Sequence, residues 1–408
     1  MTAINQKPGP WLNDLDEATL AQLAHELDAL RDSVLRERGR DDARYIRRVI
    51  RVQRTLELCS RLLLLASAVP PAWLAGTTGL SVAKILENME IGHNVMHGQW
   101  DWMHDPEIHS STWEWDNVAP SAHWKHTHNE LHHQFTNVLG RDNDVGYNVL
   151  RMDEDQDWTR WTPFQLLYNV ALAATFEYSI GMYGIESELY KTGEKSADDF
   201  HADAEELKAK IVRLGLRDYV LFPLLSGPSA PATLTANLTA NLMRNLWTHA
   251  VIFCGHFPEG VETFTETAIV DESDGAWYLR QMLGSANISG GRLLHIMTGN
   301  LSFQIEHHLF PDLPSNRYQE IAPEVAAICA RYGIPYTTGP MPQQVASAWL
   351  KVLRLSLPNP ALAGVAGIRS RVAGLSPGRV IARLKRPIVR RNPAPVVAEQ
   401  NRAVHSEH

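Results

Sequence analysis

The histidines of this chain are clustered, and their spacing constrains the fold more than any other feature. Nine of the 18 histidines fall between His93 and His133. Three boxes have the patterns H-x-x-x-H, H-x-x-x-H-H and Q-x-x-H-H, in the segments His93–His97, His128–His133 and Gln304–His308. Residues four apart share one face of a helix, so each H-x-x-x-H can aim two imidazoles at one metal ion. Seven imidazoles exceed the four ligands of a tetrahedral site, and the boxes therefore predict two metal ions.

The bulk composition excludes several classes of protein. A formal net charge of −8 over 408 residues argues against nucleic-acid binding, which usually needs a basic surplus. The three cysteines lie far apart without a C-x-x-C pair, which favours a reducing compartment and excludes a thiolate metal site. Residues 1–14 lack a charged start followed by an apolar core, so no cleaved signal peptide is expected. Metal binding would therefore depend on the histidines.

The segment before the first box changes from charged to apolar. Residues 15–57 predict an amphipathic helix, whose apolar face is formed by Leu20, Leu23, Leu27, Leu30 and Val34. From residue 58 to 82 only Arg61 is charged, and Pro70-Pro71 divides this run, which continues in more polar form to Ile91. Two spanning helices joined by a proline turn fit this pattern, since each needs roughly 20 residues.

Two further apolar runs lie between the second and third boxes. They cover residues 163–185 and 219–255, and prolines restrict the spanning part of the latter to about 232–252. The charged stretch 186–217 between them predicts an extramembrane connector. An alternative is that all these runs are core helices of a soluble all-α protein. In the membrane interpretation the fold is also all-α, with four transmembrane helices and a cytoplasmic helical cap that holds the histidines.

Flanking charge favours the membrane interpretation. Five arginines precede the first apolar run, and eight arginines and lysines lie between residues 369 and 391. The positive-inside rule then puts both termini and all three boxes on the cytoplasmic side of the cell membrane, with an even number of spans. The predicted organisation is an N-terminal cytoplasmic helical segment (1–55), a membrane domain with the boxes (56–345), and a basic, disordered tail (346–408).

The three boxes occur in the order and with the spacing seen in a known family. The chain resembles the membrane-bound fatty acid desaturases over most of residues 45–340. The stretches GHNVMHGQWDWMHDPEIHSSTWEWD, NLWTHAVIFCGHFPEG and QIEHHLFPDLPSNR are most similar to bacterial acyl-CoA desaturases of the stearoyl Δ9 type. This resemblance implies a non-haem di-iron centre, dioxygen as co-substrate, and a lipid bilayer around the protein.

The resemblance also implies a reaction and its partners. The expected activity is the O₂-dependent introduction of a cis double bond into a long-chain saturated acyl chain, carried as an acyl-CoA or an acyl-lipid. No His-Pro-Gly-Gly motif of a fused cytochrome b5 segment is present. A front-end activity is therefore in doubt, although the third box begins with the same glutamine, and electrons are expected from a separate NAD(P)H-linked reductase or ferredoxin-like donor.

Family members use a further histidine near the last span, for which His256 is the candidate and His249 the reserve. His249 lies two turns earlier on nearly the same helical face, about 10 Å away by helical rise. The remaining histidines are assigned structural or surface roles, His123 and His126 beside the second box included. The predicted metal ligands are His93, His97, His128, His132, His133, His256, His307 and His308.

Three other functions use the same residues differently. Glu90 and Glu130 each start a Glu-x-x-His motif, as in soluble carboxylate-bridged di-iron bundles, but that assignment leaves most box histidines without a role. A membrane di-iron hydroxylase of alkyl substrates would use similar boxes. A non-catalytic, histidine-rich metal carrier or transport protein belongs to a different class, and it does not require three separated boxes.

Several residues are expected to support the site. Acidic side chains that could accept an imidazole N–H are Asp101, Asp142, Asp144 and Glu306. A long apolar tunnel, lined by the first two spans and the tryptophan-rich loop between the first two boxes, would hold the acyl chain. Basic residues proposed for the thioester head group are Arg151, Arg160 and Arg280.

Overall fold

The computed structural model describes residues 15–361, and most of them are helical. The prediction of an all-α fold is confirmed, apart from two three-residue strands. No helix between residues 15 and 361 is both long enough and apolar enough to cross a membrane, whereas the sequence predicted four such helices.

The charged N-terminal segment forms two helices, α1 (Glu17–Glu37) and α2 (Arg40–Leu64). The Asp16 side chain caps α1 by accepting a hydrogen bond from the Thr19 amide at 2.8 Å. The predicted apolar face of α1, from Leu20 to Val34, is buried, which confirms that prediction. The break at Gly39 was not predicted; the Gly39 amide donates to the Asp42 carboxylate at 2.8 Å and so starts α2.

The predicted proline turn separates α2 from α3 (Pro70–Leu86). Proline is tolerated in the first turn of a helix because the amide it lacks would have no intrahelical partner there. The two helices pack closely, since a Cβ at Gly79 would lie 2.3 Å from the Ser60 hydroxyl. Helix α3 continues as a π-helix, Glu87–His93, and ends in α4 (Asn94–Met96).

The second box also lies on a π-helix. After a long loop, α5 (Ser121–Trp124) leads into the π-helix Lys125–His132 and then α6 (His133–Phe135). The run 163–185, predicted as one span, is instead two helices, α7 (Gln165–Ala174) and α8 (Phe176–Gly184). The break falls at Thr175, whose hydroxyl donates to the Ala171 carbonyl at 2.8 Å and competes with the backbone.

The predicted connector 186–217 is mostly helical. It contains α9 (Ser187–Thr192) and α10 (Ala197–Leu216), followed by the π-helix Arg217–Leu221 and α11 (Phe222–Leu225). Helix α12 (Ala230–His256) contains the whole predicted span 232–252. It is long but carries buried polar side chains, among them Asn237, Arg244 and Asn245, which lower its apolar character.

The C-terminal part carries the third box. Its elements are α13 (Asp274–Leu283), β1 (Asn287–Ser289), α14 (Arg292–Met297), α15 (Gln304–Leu309), α16 (Tyr318–Tyr332), β2 (Thr338–Pro340) and α17 (Met341–Leu355). The strands pair in parallel, with Asn287 opposite Thr338. The tail predicted from residue 346 thus begins inside α17, and its basic part lies outside the described residues. Short 3₁₀ turns are Asp101–Met103, Gly146–Asn148, Thr162–Phe164, Gly227–Ser229, Glu266–Ile269, Leu301–Phe303 and Ser315–Arg317.

Separate apolar cores hold the boxes in place. The largest joins α1 to α13, α15 and α16, and includes Leu23, Leu27 and Phe310, none of which is exposed to solvent. The N-terminal helix is therefore packed against the elements that carry the third box. A second core, around Ile91, Trp100 and Trp124, surrounds the first box.

Candidate metal centre

The first box is placed by the π-helix that continues α3. His93 is its last residue, and His97 follows one turn later, with the two ring centroids 4.6 Å apart. π-helical turns are rare and occur frequently at functional sites. Both rings face the second and third boxes, since each centroid lies within 5.5 Å of His128 and of His307.

The second and third boxes each direct neighbouring histidines to different places. The rings of His132 and His133 are 5.5 Å apart at 79°, and those of His307 and His308 are 5.5 Å apart at 83°. His133 stacks on His308, with centroids 4.4 Å apart and planes at 17°. The two rings of each adjacent pair therefore point to different parts of the cluster.

The eight predicted histidines come together in one buried cluster. In one group, His93, His97, His128 and His307, one ring nitrogen from each lies within 4.8 Å of the others. In a second group the same is true of His132, His256 and His308. The ring of His133 lies between the groups, 4.7 Å from His97 and 4.4 Å from His308. Each group offers ring nitrogens to one metal ion, and the presence of two metal ions stays a prediction.

The two H-x-x-x-H pairs are arranged differently in the cluster. His93 and His97 belong to one group, as their spacing predicts. His128 belongs to the first group and His132 to the second, and the two also form a third group with Asp144, in which one ligand atom of each residue lies within 4.8 Å of the others. Both lie on a π-helix, whose wider turn changes the faces that residues four apart present.

Several ring nitrogens inside the cluster have no hydrogen-bond partner. These buried atoms are Nε2 of His93, His97, His128 and His307 and both nitrogens of His133. In addition, the Nε2 atoms of His256 and His308 face each other at 3.2 Å. Unpartnered buried polar atoms are costly and rare, so a ligand is needed to satisfy them. Metal ions that accept imidazole ligands fit this donor set.

The outer nitrogens, by contrast, are held by the protein. Nδ1 of five histidines lies 2.9–3.2 Å from an oxygen: His93 from Asn94, His132 from Asp142, His256 from the Gly284 carbonyl, His307 from Tyr318 and His308 from Gln281. Where the partner is a carbonyl or carboxylate, Nδ1 must carry the proton. The lone pair is then on Nε2, which faces the cluster and is available to a metal.

Two aspartates follow the second box and lie on the outer side of its histidines. The Asp142 carboxylate accepts from His132 Nδ1 at 2.9 Å and from the amides of Asn137 and Asp144 at 2.7 and 2.9 Å. Asp144 Oδ2 lies 3.6 Å from His128 Nδ1 and 3.7 Å from His132 Nδ1. Asp144 therefore contacts the outer nitrogens of both rings, and with His128 and His132 it forms a third group of possible ligand atoms.

The other two predicted acidic partners contact no box histidine. Asp101 accepts from Ser110, and Glu306 accepts from Asn287 and Tyr336. Both are bound into their own local networks, and orientation of the boxes falls to Asp142 and Asp144.

Burial keeps most of the cluster neutral. Burial lowers the pKa of His93 to about 4. It also lowers the pKa values of His97, His128 and His307 well below the usual range, and the charges of neighbouring histidines lower these three further. Burial alone would also lower the pKa of His132, but Asp142 and Asp144 raise it to about 9. Neutral imidazoles are the form that binds metal ions, so the low pKa values favour binding at neutral pH.

The reserve histidine lies outside the cluster. His249 Nε2 is 2.9 Å from the Asn169 side chain, and its ring stacks on Phe253 at 3.9 Å. Of the two candidates on α12, only His256 is therefore placed in the cluster. His123 lies near Asp203 and Glu206.

Two further histidines contact groups outside the cluster. His126 bonds to Glu130, and His295 to Ser302.

The carboxylate-bridged alternative receives no support from the positions of its glutamates. Glu90 is buried and accepts from Tyr45, Ser315 and Asn300. The Glu130 side chain is 68% exposed and lies beside His126. Neither contributes to either group of the cluster.

The arginines assigned to a thioester head group have other contacts. Arg280 is buried, pairs with Glu272 at 2.7 Å and donates to backbone carbonyls just after the second box. Arg151 is also buried and donates to backbone carbonyls, including that of Glu154 at 2.8 Å. The prediction is therefore wrong for these two, whose guanidinium groups are used in folding. The Arg160 guanidinium lies over the ring of Trp161.

Two supporting residues were missed by the sequence argument. The Asn137 side chain donates to the carbonyls of Glu262 and Gly284, and the Asn137 backbone has a φ of +57°. The Gln281 side chain forms hydrogen bonds with the His308 ring and with the His133 carbonyl. Their side chains join the second box to α13 and the end of α12. Only the order N-x-x-x-x-D after the box gave any signal, and it is too common to identify them.

A narrow cavity of about 40 Å³ reaches the cluster beside His93 and His128. Its walls come from the π-helix of the first box, from α8 and α12, and from two tryptophans: Asn88, Met89, Trp115, Trp124, Phe176, Ile180, Thr248 and Ile252. The predicted contribution of the tryptophan-rich loop is thus present through Trp115. Helix α2 contributes no wall residue, and α8 and α12 take its place.

Comparisons with known proteins agree with this geometry. A family model described as fatty acid desaturase matches residues 68–340. The chain is 52% identical over 349 residues to the NADPH-dependent stearoyl-CoA 9-desaturase of Mycobacterium tuberculosis (strain ATCC 25618 / H37Rv), covering 85% of this chain and 82% of the relative. It is 25% identical over 285 residues to the sn-1 linoleoyl-lipid 6-desaturase of Synechocystis sp., covering 68% and 78% of the two chains.

Proposed function

The chain belongs to the fatty acid desaturase family, and we propose that it introduces a cis double bond at the Δ9 position of long-chain saturated acyl-CoAs such as stearoyl- or palmitoyl-CoA. The Mycobacterium relative, 52% identical, is named for this reaction. The observation that carries the proposal is the convergence of eight imidazoles, five of which have inner nitrogens without a protein partner: His93, His97, His128, His133 and His307.

We propose that the cluster binds two iron ions. His93, His97, His128 and His307 would hold one ion, and His132, His256 and His308 the other, with His133 between them. A non-haem di-iron pair would supply the oxidation of unactivated methylene groups by O₂, which no side chain can perform. The balanced reaction takes a saturated chain, O₂, two electrons and two protons to the unsaturated chain and two waters.

The protein's own contribution is to position groups and exclude water. Asp142, the Gly284 carbonyl and Gln281 fix the orientation of His132, His256 and His308. The narrow cavity beside His93 and His128 would admit the acyl carbons and little else. Electrons would come from a separate NAD(P)H-linked or ferredoxin-like donor, in keeping with the name of the NADPH-dependent relative.

The acidic head group of an acyl-CoA would bind a groove next to this cavity. Trp115 lines both, and the groove has a volume of about 930 Å³. It is lined by five arginines (Arg47, Arg51, Arg54, Arg213 and Arg217) and by six carboxylates (Glu57, Glu87, Asp105, Glu107, Glu114 and Asp116). Within the described part of the chain, Arg51, Arg54 and Arg213 have no carboxylate partner at salt-bridge distance. These three are free to meet phosphate groups, whereas Arg151 and Arg280 are not.

We further propose that the protein is embedded in the cell membrane by four spans, with the site and both termini on the cytoplasmic side. The support is a set of large apolar side chains exposed on α2, α3, α11 and α12: Leu58, Leu62, Leu63, Leu65, Leu74, Leu224, Leu225, Leu238, Leu242 and Leu246. Exposed apolar surface of this extent is typical of proteins that contact lipid. The arginine-rich start of α2 would face the cytoplasm.

Expression in a desaturase-deficient host tests the activity. Gas chromatography of fatty acid methyl esters should show new 9-unsaturated acids with the wild-type chain and none with His307→Ala. The matched control is His295→Ala, whose imidazole bonds to Ser302, lies outside the cluster and should retain product. Hydroxylated acids instead would favour the hydroxylase alternative. Recovery of the protein in the soluble fraction would contradict the membrane proposal.

A further inference from the structure

Two buried glutamates beside the histidine boxes have unusual surroundings. Glu90 lies three residues before His93, and Glu306 directly precedes His307. Neither side chain is exposed to solvent, and within residues 15–361 neither has a lysine or arginine at salt-bridge distance. Acidic side chains are almost never fully buried unless they are paired. Neither glutamate belongs to a group of possible metal ligands.

The two glutamates are held by the same pair of residue types. The Tyr45 hydroxyl and the Asn300 amide each donate to Glu90 at 2.9 Å. Tyr336 and Asn287 donate to the second glutamate in the same way, at 2.7 and 2.9 Å. In both places the asparagine amide also donates to the tyrosine oxygen, at 3.3 Å in the first and 2.7 Å in the second. Each tyrosine therefore turns its own proton toward the carboxylate.

This arrangement favours the ionised form of both side chains. The Ser315 hydroxyl adds a third donor to Glu90 at 2.7 Å. An ionised carboxylate only accepts hydrogen bonds, and hydrogen bonds donated to the charged form stabilise it. Burial raises the pKa of Glu90 to about 7, against the effect of its donors, so a positive charge nearby would complete its ionisation.

The imidazole ligands would leave the charge of the metal ions unbalanced. Neutral imidazoles carry no charge, so two ferrous ions would place four positive charges inside the protein. An uncompensated buried charge is costly, and opposite charges close to it reduce that cost. Counter-charges would therefore come from side chains outside the ligand set.

The aspartates supply such charge only at the second box. Asp142 and Asp144 lie beside the outer nitrogens of that box. The outer contacts of the first and third boxes are neutral, and they include the Asn94 amide and the Tyr318 hydroxyl. The two buried glutamates lie next to these two boxes. Together with the two aspartates they would balance the charge of two ferrous ions.

We infer that Glu90 and Glu306 are the counter-charges of the metal centre at the first and third boxes, and that they lower its reduction potential. The inference rests on the proposed function, since it assumes iron in the cluster. The attraction between two charges grows with the size of each charge, so a nearby carboxylate stabilises a ferric ion more than a ferrous ion. The glutamates act through space, because their oxygens are occupied by tyrosine and asparagine donors.

Glu90→Gln tests this inference, since it removes the charge and keeps the length of the side chain. The full-length protein is loaded with ⁵⁷Fe, and a redox titration is followed by Mössbauer spectroscopy. The preference for ferric over ferrous iron should fall about tenfold, which raises the potential by about 59 mV for a one-electron couple. Glu306→Gln should shift the potential in the same direction, and the double variant should shift it further than either single change.

Two controls separate the charge from the contacts. Glu130→Gln is the matched change at a glutamate of the second box whose side chain is 68% exposed. Solvent and salt screen that charge, so this variant should keep the wild-type potential. Glu90→Asp keeps the negative charge, and its preference for ferric iron should stay within about threefold of the wild-type value.

Equal potentials in the wild type, Glu90→Gln and Glu306→Gln would overturn the inference. If neither glutamine variant retains iron, Glu90→Asp decides. Iron held at the wild-type potential in this variant supports a role of the charge, whereas loss of its iron as well would assign the effect to side-chain contacts and overturn the inference. Failure of the proposed function would show differently, as a wild type that holds two irons and yields no unsaturated product.

Discussion

Asp142 offers the sharpest test of how the protein prepares the metal centre. Its two oxygens accept four contacts: Oδ1 from His132 Nδ1 and the Asp144 amide, and Oδ2 from His132 Nδ1 and the Asn137 amide. All the partners are donors. An asparagine has one acceptor oxygen, so in Asp142→Asn the amide NH₂ must face at least one backbone N–H.

The expected losses follow from these contacts. A buried donor left without its acceptor costs about 1–3 kcal/mol, so Asp142→Asn should lower the unfolding free energy by about that amount. His132 also loses the negative charge that orients its ring and makes Nε2 a better ligand. Loss of such an outer contact typically weakens metal affinity 10–100-fold, or by about 1.4–2.8 kcal/mol.

Chelator competition followed by iron analysis measures this affinity. The matched control is Asp101→Asn, an equally conservative change at an aspartate that accepts from Ser110 and contacts no box histidine. Wild type and Asp101→Asn should retain iron at chelator concentrations that strip Asp142→Asn. If the two variants lose iron together, the orienting role of Asp142 is refuted.

Further predictions concern the cluster, the packing of α1 and an ion pair. His256→Gln should lose iron, whereas His249→Gln should keep the wild-type iron content, as measured by metal analysis of the purified protein. Gly275→Ala should lower the melting temperature, because its Cβ would lie 2.1 Å from a carbonyl oxygen of α1; Gly215→Ala, with no atom within 4 Å of the new Cβ, should leave it unchanged or raise it. Burial alone would raise the pKa of Asp42, but hydrogen bonds from a guanidinium, an amide side chain and a backbone amide hold it below its usual value. A lowered pKa in the folded state stabilises the protein at pH values above the pKa of the unfolded state, about 3.9, and this stabilisation is lost as the pH falls through the pKa of the folded state. The loss of unfolding free energy in Asp42→Asn should therefore be largest at neutral pH and become smaller in thermal melts at acid pH.

The histidines that meet in the cluster were predictable in part because their boxes are defined by short-range spacing. His93 and His97 lie on one helical stretch, and both face one group as expected. The choice of His256 over His249 followed from its place near the end of the last apolar run. In the fold, a tertiary contact separates the two candidates, because the Asn169 side chain on α7 forms a hydrogen bond with His249. Sequence alone gives no measure of such a contact.

The errors have a common physical origin in long-range contacts. Arg151 and Arg280 were predicted to bind the thioester head group as basic residues on the cytoplasmic side. In the fold they satisfy buried backbone carbonyls, a need that exists only once the chain is packed. The break at Thr175 and the turn at Gly39 are different, since each is accompanied by a local hydrogen bond between residues three or four apart. Local propensity is too weak to reveal these features.

The adjacent histidine pairs carry more information about a dinuclear site than the four-residue spacing does. Neighbouring residues on a helix point about 100° apart, so two imidazoles in sequence cannot easily reach one ion. The structure follows this rule: His307 belongs to one group and His308 to the other, with ring planes at 83°. The pair His307-His308 therefore favours two metal positions. His128 and His132 are divided between these two groups, although they share a third group with Asp144, so their four-residue spacing is the weaker argument for the number of ions in this chain.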